Sequence, residues 1–320
     1  MTSRRLPDFV IIGAQKSGTA SLSALLSSRS DVFMCRPREP MFFCRDDAAI
    51  HPHTLLSNRV LWRSFDWNHD RNRLLDGYAE LFRSAGRSQL VGEGSTTYLV
   101  SKLVPERIAS VMPQAKLIAL LRNPIDRAYS AYFHHLKNFR VVRSFEEQLK
   151  FEPGDLLETG NYRSHLQRYL QHFPKEQLLV LPFEQFVKDT QAVFERVCGF
   201  LGLEPRPINP EARSNGAVVP RLIGVQQALN AALRLTESSF EAGPIRVLRE
   251  HDPRPLALRA ADKALRGLGR LNRYVGPSRY PPLRPATREL LRDYFARQNA
   301  GLSELTQLDF SAYWRDFAKL

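Results

Sequence analysis

At 320 residues and 43% hydrophobic composition, the chain is long enough for one large α/β domain or two small ones and carries enough apolar residues for a substantial core. Its net charge of +13 calls for an anionic partner, such as a nucleotide, a sulfated or phosphorylated acceptor, nucleic acid or a membrane surface, without choosing among them. The 3 cysteines, Cys35, Cys44 and Cys198, form no C-x-x-C and argue against a disulfide framework or a structural metal, and no apolar run approaches a membrane span.

Phe9-Val-Ile-Ile12 is a short apolar run of the kind found in a central parallel strand. It leads into Gly13-Ala-Gln-Lys-Ser-Gly18 and then a helix expected from Thr19 to Ser28, with Leu22, Leu25 and Leu26 on one face. Strand, glycine-bearing turn and helix start make a phosphate cradle. The glycines let backbone N–H groups approach an anion, the helix adds its positive end, and Lys16 adds a mobile charge. A nucleotide triphosphatase loop places lysine directly after its second glycine, whereas here Lys16 precedes Gly18 by two residues. The cradle is therefore a relative of the kinase loop rather than a copy of it. Arg4-Arg5 precedes the strand, but Pro7 and Asp8 interrupt any export leader, so a cytoplasmic protein is expected.

Two prolines next predict an extended segment around an isolated acid in Arg36-Pro-Arg-Glu-Pro-Met-Phe-Phe43. Glu39 is a candidate general base there, the alternative being a surface acid paired with Arg36 or Arg38. Residues 45–72, with His51, His53, Trp62, Trp67 and His69, show no period and are expected to be irregular. Gly77 to Phe82 gives a turn or more of helix. Leu90-Val-Gly-Glu-Gly-Ser-Thr-Thr-Tyr98 is a second strand running into a polar turn. Glu93 in it is the reserve candidate for the base, and a buried glutamate bonded to cradle backbone is the equal alternative.

Pro105 to Met112 suits a short helix, and Lys116 to Leu121 is the most apolar strand. Arg122-Asn-Pro-Ile-Asp-Arg-Ala-Tyr-Ser130 follows it, placing an arginine fork at a strand end and a hydroxyl two turns into the next helix, a pair able to hold a phosphate monoester. His134 and His135 on that helix are expected to pack or meet solvent. Ser144-x-x-Glu147 is a capping box, Tyr162 to Phe173 has helical spacing, Gln177 to Pro182 is a further strand, and Asp189 caps a helix that stops at Gly202. The Pro- and Arg-rich stretch 205–282 holds two amphipathic helices near 221–235 and 255–271 and is expected to be a lid within a single domain covering 1–320. A helix from Ala286 to Leu305, with Leu290, Leu291, Tyr294 and Phe295 on one side, closes the chain.

Three of these stretches resemble one family in its own order. Gln15-Lys-Ser-Gly-Thr19 resembles the 5′-phosphosulfate loop of sulfotransferases that use 3′-phosphoadenosine 5′-phosphosulfate (PAPS). The Glu39-Pro-Met-Phe-Phe43 segment resembles the acceptor-activating segment of carbohydrate sulfotransferases, the heparan sulfate type included, and Arg122 to Ser130 resembles their 3′-phosphate motif. The resemblance covers most of 8–200 and 276–314. It implies a P-loop-like α/β fold with a central parallel sheet and sulfuryl transfer to a hydroxyl, or an amine, of a carbohydrate or glycoconjugate. It also implies catalytic roles for Lys16 and Glu39 and donor binding by Lys16, Ser17, Gly18, Thr19, Ala20, Ser21, Arg122 and Ser130. Gly276-Pro-Ser-Arg-Tyr-Pro281 resembles the loop that closes over the nucleotide, which points to Arg279, with Arg213 as the competing choice. Gly94 stands where glycosaminoglycan-acting members carry lysine. Sulfuryl carries less charge than a terminal phosphoryl group, so no metal is expected. The alternatives are a P-loop nucleotide kinase, and a basic nucleic-acid-binding protein for which no stacking or helix-turn-helix signature exists. No nucleic-acid partner is therefore expected.

Overall fold

The computed structural model describes residues 4–47, 65–208, 219–235, 255–274, 279–318 and 320. Five parallel strands, β1 (Phe9–Gly13), β2 (Val32–Met34), β3 (Leu90–Gly94), β4 (Lys116–Leu121) and β5 (Leu178–Pro182), form one sheet in the order β2-β3-β1-β4-β5. The register sets Val10 opposite Glu93 on one side and Leu117 on the other. The cradle strand is therefore central, and the ends of β3 and β4 flank the turn that follows it.

Side chains alternate across this sheet and divide the interior in two. Val10 and Ile12 of β1 and Leu117, Ala119 and Leu121 of β4 enter the larger core. Phe9, Ile11, Ile118 and Leu120 enter the other, where they meet Leu22, Leu25 and Leu26 of α1 (Thr19–Ser27) and Val193, Phe194 and Val197 of the helix Thr190–Leu201. Apolar side chains on both faces explain why β1 and β4 read as unbroken hydrophobic runs.

The larger core is covered by α2 (Trp67–Ala79), α3 (Val104–Val111), α4 (Pro124–Lys137), α5 (Phe145–Phe151), α6 (Gly154–Glu158) and α7 (Tyr162–Leu170). α8 (Phe183–Lys188) and α9 (Thr190–Leu201) follow β5, then α10 (Ile223–Leu235), α11 (Leu256–Tyr274), α12 (Pro285–Gln298) and α13 (Leu302–Thr306). The caps expected at Ser144 and Asp189 form, Ser144 and Glu147 making a reciprocal box and Asp189 accepting from the Ala192 amide, and Asn123 caps α4 by accepting from the Ile125 amide. α10 and α11 fall within the stretch read as a lid: α10 starts two residues later than expected and ends as expected, and α11 starts one residue late and ends three residues late.

Four readings change. Residues 67–72 are helical rather than irregular, because Asp66 accepts from the amides of Asn68 and His69 and starts α2 ten residues early. The Glu39 segment is not extended: Glu39 and Met41 have φ of 56° and 50°, and Phe42–Cys44 forms a 3-10 turn. Met41 N donates to Ser95 Oγ and Phe43 N to the Tyr98 hydroxyl, which, with burial of Phe42 and Phe43, outweighs the proline preference. The last helix is two, broken at Gly301 with φ 82°, and Leu290 lies 66% exposed instead of sharing the packed face. The 3-residue edge strand β2 and the short α6 and α8 were not foreseen. His51, His53, Trp62 and Arg213 lie outside the described residues.

The final elements tie themselves to the turn after β4. Trp314 Nε1 donates to Glu184 Oε2 at 2.8 Å, and Glu184 Oε1 accepts from Asn123 N at 2.9 Å. Asn123 Nδ2 and Arg288 both reach Asp316, and Arg288 also pairs with Asp126. The start of α4 is thus fixed from several sides.

Candidate active site

The cradle sits where the sheet order changes direction, at the carboxyl end of β1. Ala14 N donates to Leu120 O and Ser17 N to Ala14 O, so the turn curls between β4 and α1. Gly18, with φ 84°, caps α1, and a methyl group there would stand 2.9 Å from the Phe183 ring. Lys16 is itself left-handed, with φ 70°, a conformation that costs an L-residue about 1–2 kcal/mol and persists only when its surroundings enforce it. Burial, together with the charges of Lys137 and Arg122, lowers its pKa to about 8. The Ser17 hydroxyl is fully buried and has no hydrogen-bond partner among the described residues. Buried polar groups are normally satisfied, so this orphan hydroxyl inside a cationic turn fits an anion. Thr19 is buried and Ala20 and Ser21 are half-buried in the first turn of α1.

A second cationic position adjoins the first. Arg122, at the end of β4, donates to Lys16 O at 3.3 Å and lies 5.1 Å from the Phe183 ring centroid, while its own carbonyl accepts from the Tyr162 hydroxyl at 2.8 Å. Ser130, two turns into α4, is buried, and its hydroxyl shares a 3.1 Å hydrogen bond with that of Tyr280. Tyr280 stacks on Phe133, and Arg279 beside it is exposed. Phe183, Tyr162 and Tyr280 were not singled out from sequence; only the Tyr-Pro pair after Arg279 hinted at one of them. Arg127, on the same helix, is fully buried and donates to the carbonyls of Asp155 and Leu156.

The acids lie on the other side of the cradle. The 95–99 turn docks on the end of β1 through Ser95 N to Ile11 O and Leu99 N to Ile12 O. Thr96 in this turn presses its carbonyl close to Gly13 and donates its hydroxyl to Glu39 Oε2 at 3.0 Å. Glu39 keeps exposed surface while its carboxylate is tucked against Thr96. The resulting desolvation raises its pKa, opposed by the Thr96 hydrogen bonds. Glu93 is different. It is fully buried, accepts from the Tyr78 hydroxyl at 2.8 Å and from Ser95 Oγ at 3.2 Å, and burial lifts its pKa to about 7 against those bonds. Ser95 also accepts from Met41 N, so Glu93 braces the turn that carries Glu39. His134 is half-buried and bonded to Asn138, and desolvation with the nearby Lys16 charge lowers its pKa to about 3. His135 pairs with Asp155 at 2.7 Å.

The structure brings Lys16, Ser17 and Arg122 together and attaches Glu39 to the same turn through Thr96, while Ser130 sits further along α4 and is joined through Tyr280 to the segment that carries the exposed Arg279. Among the described residues no group of acidic, histidine or cysteine side chains is arranged to hold a metal ion, and no helix is long and apolar enough to cross a membrane.

Comparison with known proteins agrees with this arrangement. A family model described as a sulfotransferase domain matches residues 6–214. Bifunctional heparan sulfate N-deacetylase/N-sulfotransferase 1 of Xenopus laevis is 31% identical over 217 residues, which are 63% of this chain and 23% of that protein. Heparan sulfate glucosamine 3-O-sulfotransferase 3B1 of Mus musculus is 30% identical over 210 residues, 63% of this chain and 47% of that one. The chain thus spans from about a quarter to about half the length of these relatives. A crystal structure of a sulfotransferase from Alicyclobacillus acidocaldarius superposes with a TM-score of 0.61 at 25% identity, covering 97% of this chain and 99% of that one. With the matched region spanning the cradle, the acidic turn and the Arg122–Ser130 string, the chain belongs to the sulfotransferase family.

Proposed function

We propose that the protein moves the sulfuryl group of PAPS to a hydroxyl or amine of a carbohydrate or glycoconjugate. The observation that carries this reading is the junction of two cationic positions and an acid around one turn: Lys16 with the orphan Ser17 hydroxyl, Arg122 bonded to the Lys16 carbonyl, and Glu39 fixed by Thr96 beside Gly13. The glycan class is supported by the two heparan sulfate relatives, whose names give it. The proposal includes one domain in which α10 and α11 serve as a lid, and a cytoplasmic site of action.

In this reading the 5′-phosphosulfate lies in the cradle, from Lys16 through Ser21, and the 3′-phosphate lies between Arg122 and Ser130, with Arg279 closing over it. The acceptor oxygen or nitrogen attacks sulfur in line as the bond from sulfur to the 5′-phosphate oxygen breaks, and that oxygen keeps the electron pair. Glu39 takes the acceptor proton. Its raised pKa makes it a better base than an ordinary surface carboxylate, and its exposed side leaves room for an acceptor. Lys16 faces the leaving phosphate, where a fixed positive charge counts most as negative charge develops. Glu93, enclosed by Tyr78 and Ser95, has no comparable opening and acts by holding the Glu39 turn.

The test is incubation with PAPS labelled in sulfur and a desulfated heparan-type oligosaccharide, with and without a metal chelator. Label in the oligosaccharide in both arms is the expected result. Transfer that requires Mg²⁺ and uses ATP in place of PAPS would overturn the reading in favour of a kinase.

A further inference from the structure

α10 and α11 turn much of their apolar surface outward. In a helix packed on a soluble protein the apolar stripe faces the core and the polar face meets water. Here the inner seam is largely polar, with Leu233 of α10 buried and Ile223 packed on the core. Gln226 and Asn230 of α10 are fully buried and hydrogen-bonded to each other, and Asn230 Nδ2 donates to the carbonyls of Leu136 and Val141. On α11, Asn272 exchanges hydrogen bonds with the Leu222 backbone, and Arg266 and Arg273 lie 5.4 and 5.3 Å from the Phe139 ring centroid. Arg273 also donates to Lys137 O, so the pair is locked to the end of α4.

The outer faces are apolar. Val225 and Leu235 on α10 are 46% and 83% exposed, and Leu256, Leu268 and Leu271 on α11 are 78%, 55% and 61% exposed. Exposed glycines and alanines fill the same faces: Gly224, Ala228 and Ala231 on α10, and Ala257, Ala260 and Ala264 on α11. Helical spacing puts Leu256, Ala260, Ala264 and Leu271 on one stripe of α11, with Lys263 and Arg270, one above the other at i and i+7, along its edge. A surface of this kind marks an interaction site.

Charge selects the occupant. On their exposed sides the two helices carry Arg234, Arg259, Lys263 and Arg270, while Asp262, the one acid in either helix, pairs with Arg266. Two copies meeting through such faces would bring like charges together, whereas an anionic lipid surface complements both the leucines and the basic border. We propose that the outward faces of α10 and α11 seat the protein on an anionic lipid bilayer, with the helices lying in the interface rather than crossing it. Because α10 and α11 are fixed to α4, docking would bring the Ser130 end of the candidate site near the membrane. The inference rests on this surface alone and does not depend on the proposed reaction.

Co-sedimentation of the full chain with vesicles tests it, using phosphatidylcholine vesicles with and without phosphatidylglycerol at about 0.15 M salt, where exposed charges further apart than about 8 Å are largely screened. Wild type is expected to bind the anionic vesicles, and the exposed-site variants Leu235→Ser and Leu268→Asp/Leu271→Asp to bind about tenfold or more weaker, each with unchanged melting temperature and unchanged affinity for 3′-phosphoadenosine 5′-phosphate. Lys263→Glu/Arg270→Glu should weaken binding and reduce its salt dependence. Three results would overturn the proposal: no binding of wild type, binding undiminished in the leucine variants (general attraction of a basic protein), or leucine variants that only convert a dimer to a monomer in ultracentrifugation. If nucleotide affinity is absent while vesicle binding behaves as expected, the proposed reaction fails and the docking surface stands.

Discussion

Replacing Arg122 and Ser130 by alanine tests how the donor's second phosphate is held. Arg122 is poised by three neighbours, the Lys16 carbonyl at 3.3 Å, the Phe183 ring at 5.1 Å, and Tyr162 on its own carbonyl, so its guanidinium meets a phosphate with little further loss of freedom. A charge-assisted contact of that kind contributes about 1.5–3 kcal/mol, and the neutral Ser130 hydroxyl about 0.5–1.5 kcal/mol. Ser130 already shares a bond with Tyr280, which can turn its own hydroxyl toward a ligand and offset part of the loss, so the lower figure applies. Arg122→Ala alone should then reduce the preference for 3′-phosphoadenosine 5′-phosphate over adenosine 5′-phosphate by about 10- to 150-fold, and the double variant should remove nearly all of it. Titration calorimetry of both nucleotides against wild type and variants reads the preference directly. If wild type binds the two nucleotides equally, or if the variants weaken both in proportion, the 3′-phosphate assignment is wrong.

Lys16→Ala should lower turnover by about 100- to 1000-fold at saturating donor, the loss typical of one transition-state charge stabiliser, and steady-state kinetics will show it. Because the lysine titrates near 8, wild-type affinity for 3′-phosphoadenosine 5′-phosphate should also fall above that pH, by at most about tenfold per unit, while Lys16→Ala is flat over the same range. Glu39→Gln should keep the fold and nucleotide affinity but lose about 100- to 10,000-fold in transfer, measured beside Glu93→Gln and His69→Ala; an active Glu39→Gln places the base elsewhere. Glu93 has its folded pKa raised from 4.5 to about 7, so its contribution to stability is fully present below pH 4.5 and is lost as pH rises through 7. Relative to wild type, Glu93→Gln should therefore remove a downward slope of up to about 1.4 kcal/mol per pH unit in that window, seen in denaturant titrations at several pH values.

Much of the architecture was legible because it rests on local signals. β1 and β4 are buried on both faces and so read as continuous apolar runs, and the caps at Asn123, Ser144 and Asp189 depend on residues three or fewer positions away. The cradle and the Arg122–Ser130 string are each contiguous, so both could be found before any fold existed. What escaped depends on partners distant in the chain. The turn at Glu39 is bent by Ser95 and Tyr98, more than fifty residues on, and no pattern around Pro37 and Pro40 announces them. Thr96 beside Glu39 and Tyr280 beside Ser130 are equally remote. The helices α10 and α11 were found by their period, but periodicity cannot tell which face points inward, and here Gln226 and Asn230 are buried with Leu233 while Leu235, Leu268 and Leu271 face out. Leu290 was misassigned because it stands next to Leu291 in sequence, whereas a helix turns about 100° per residue, so Leu291 and Phe295 of α12 reach the core and Leu290 meets solvent.

The central claim is transfer of sulfuryl to an acceptor, and mass analysis of host extract glycans after incubation with PAPS tests it most directly. Wild type is expected to produce species heavier than their precursors by the mass of one sulfuryl group, with 3′-phosphoadenosine 5′-phosphate released in equal amount, and Glu39→Gln is expected to produce neither. Consumption of PAPS with no sulfated product, or a gain of one phosphoryl group from ATP instead, would contradict the account.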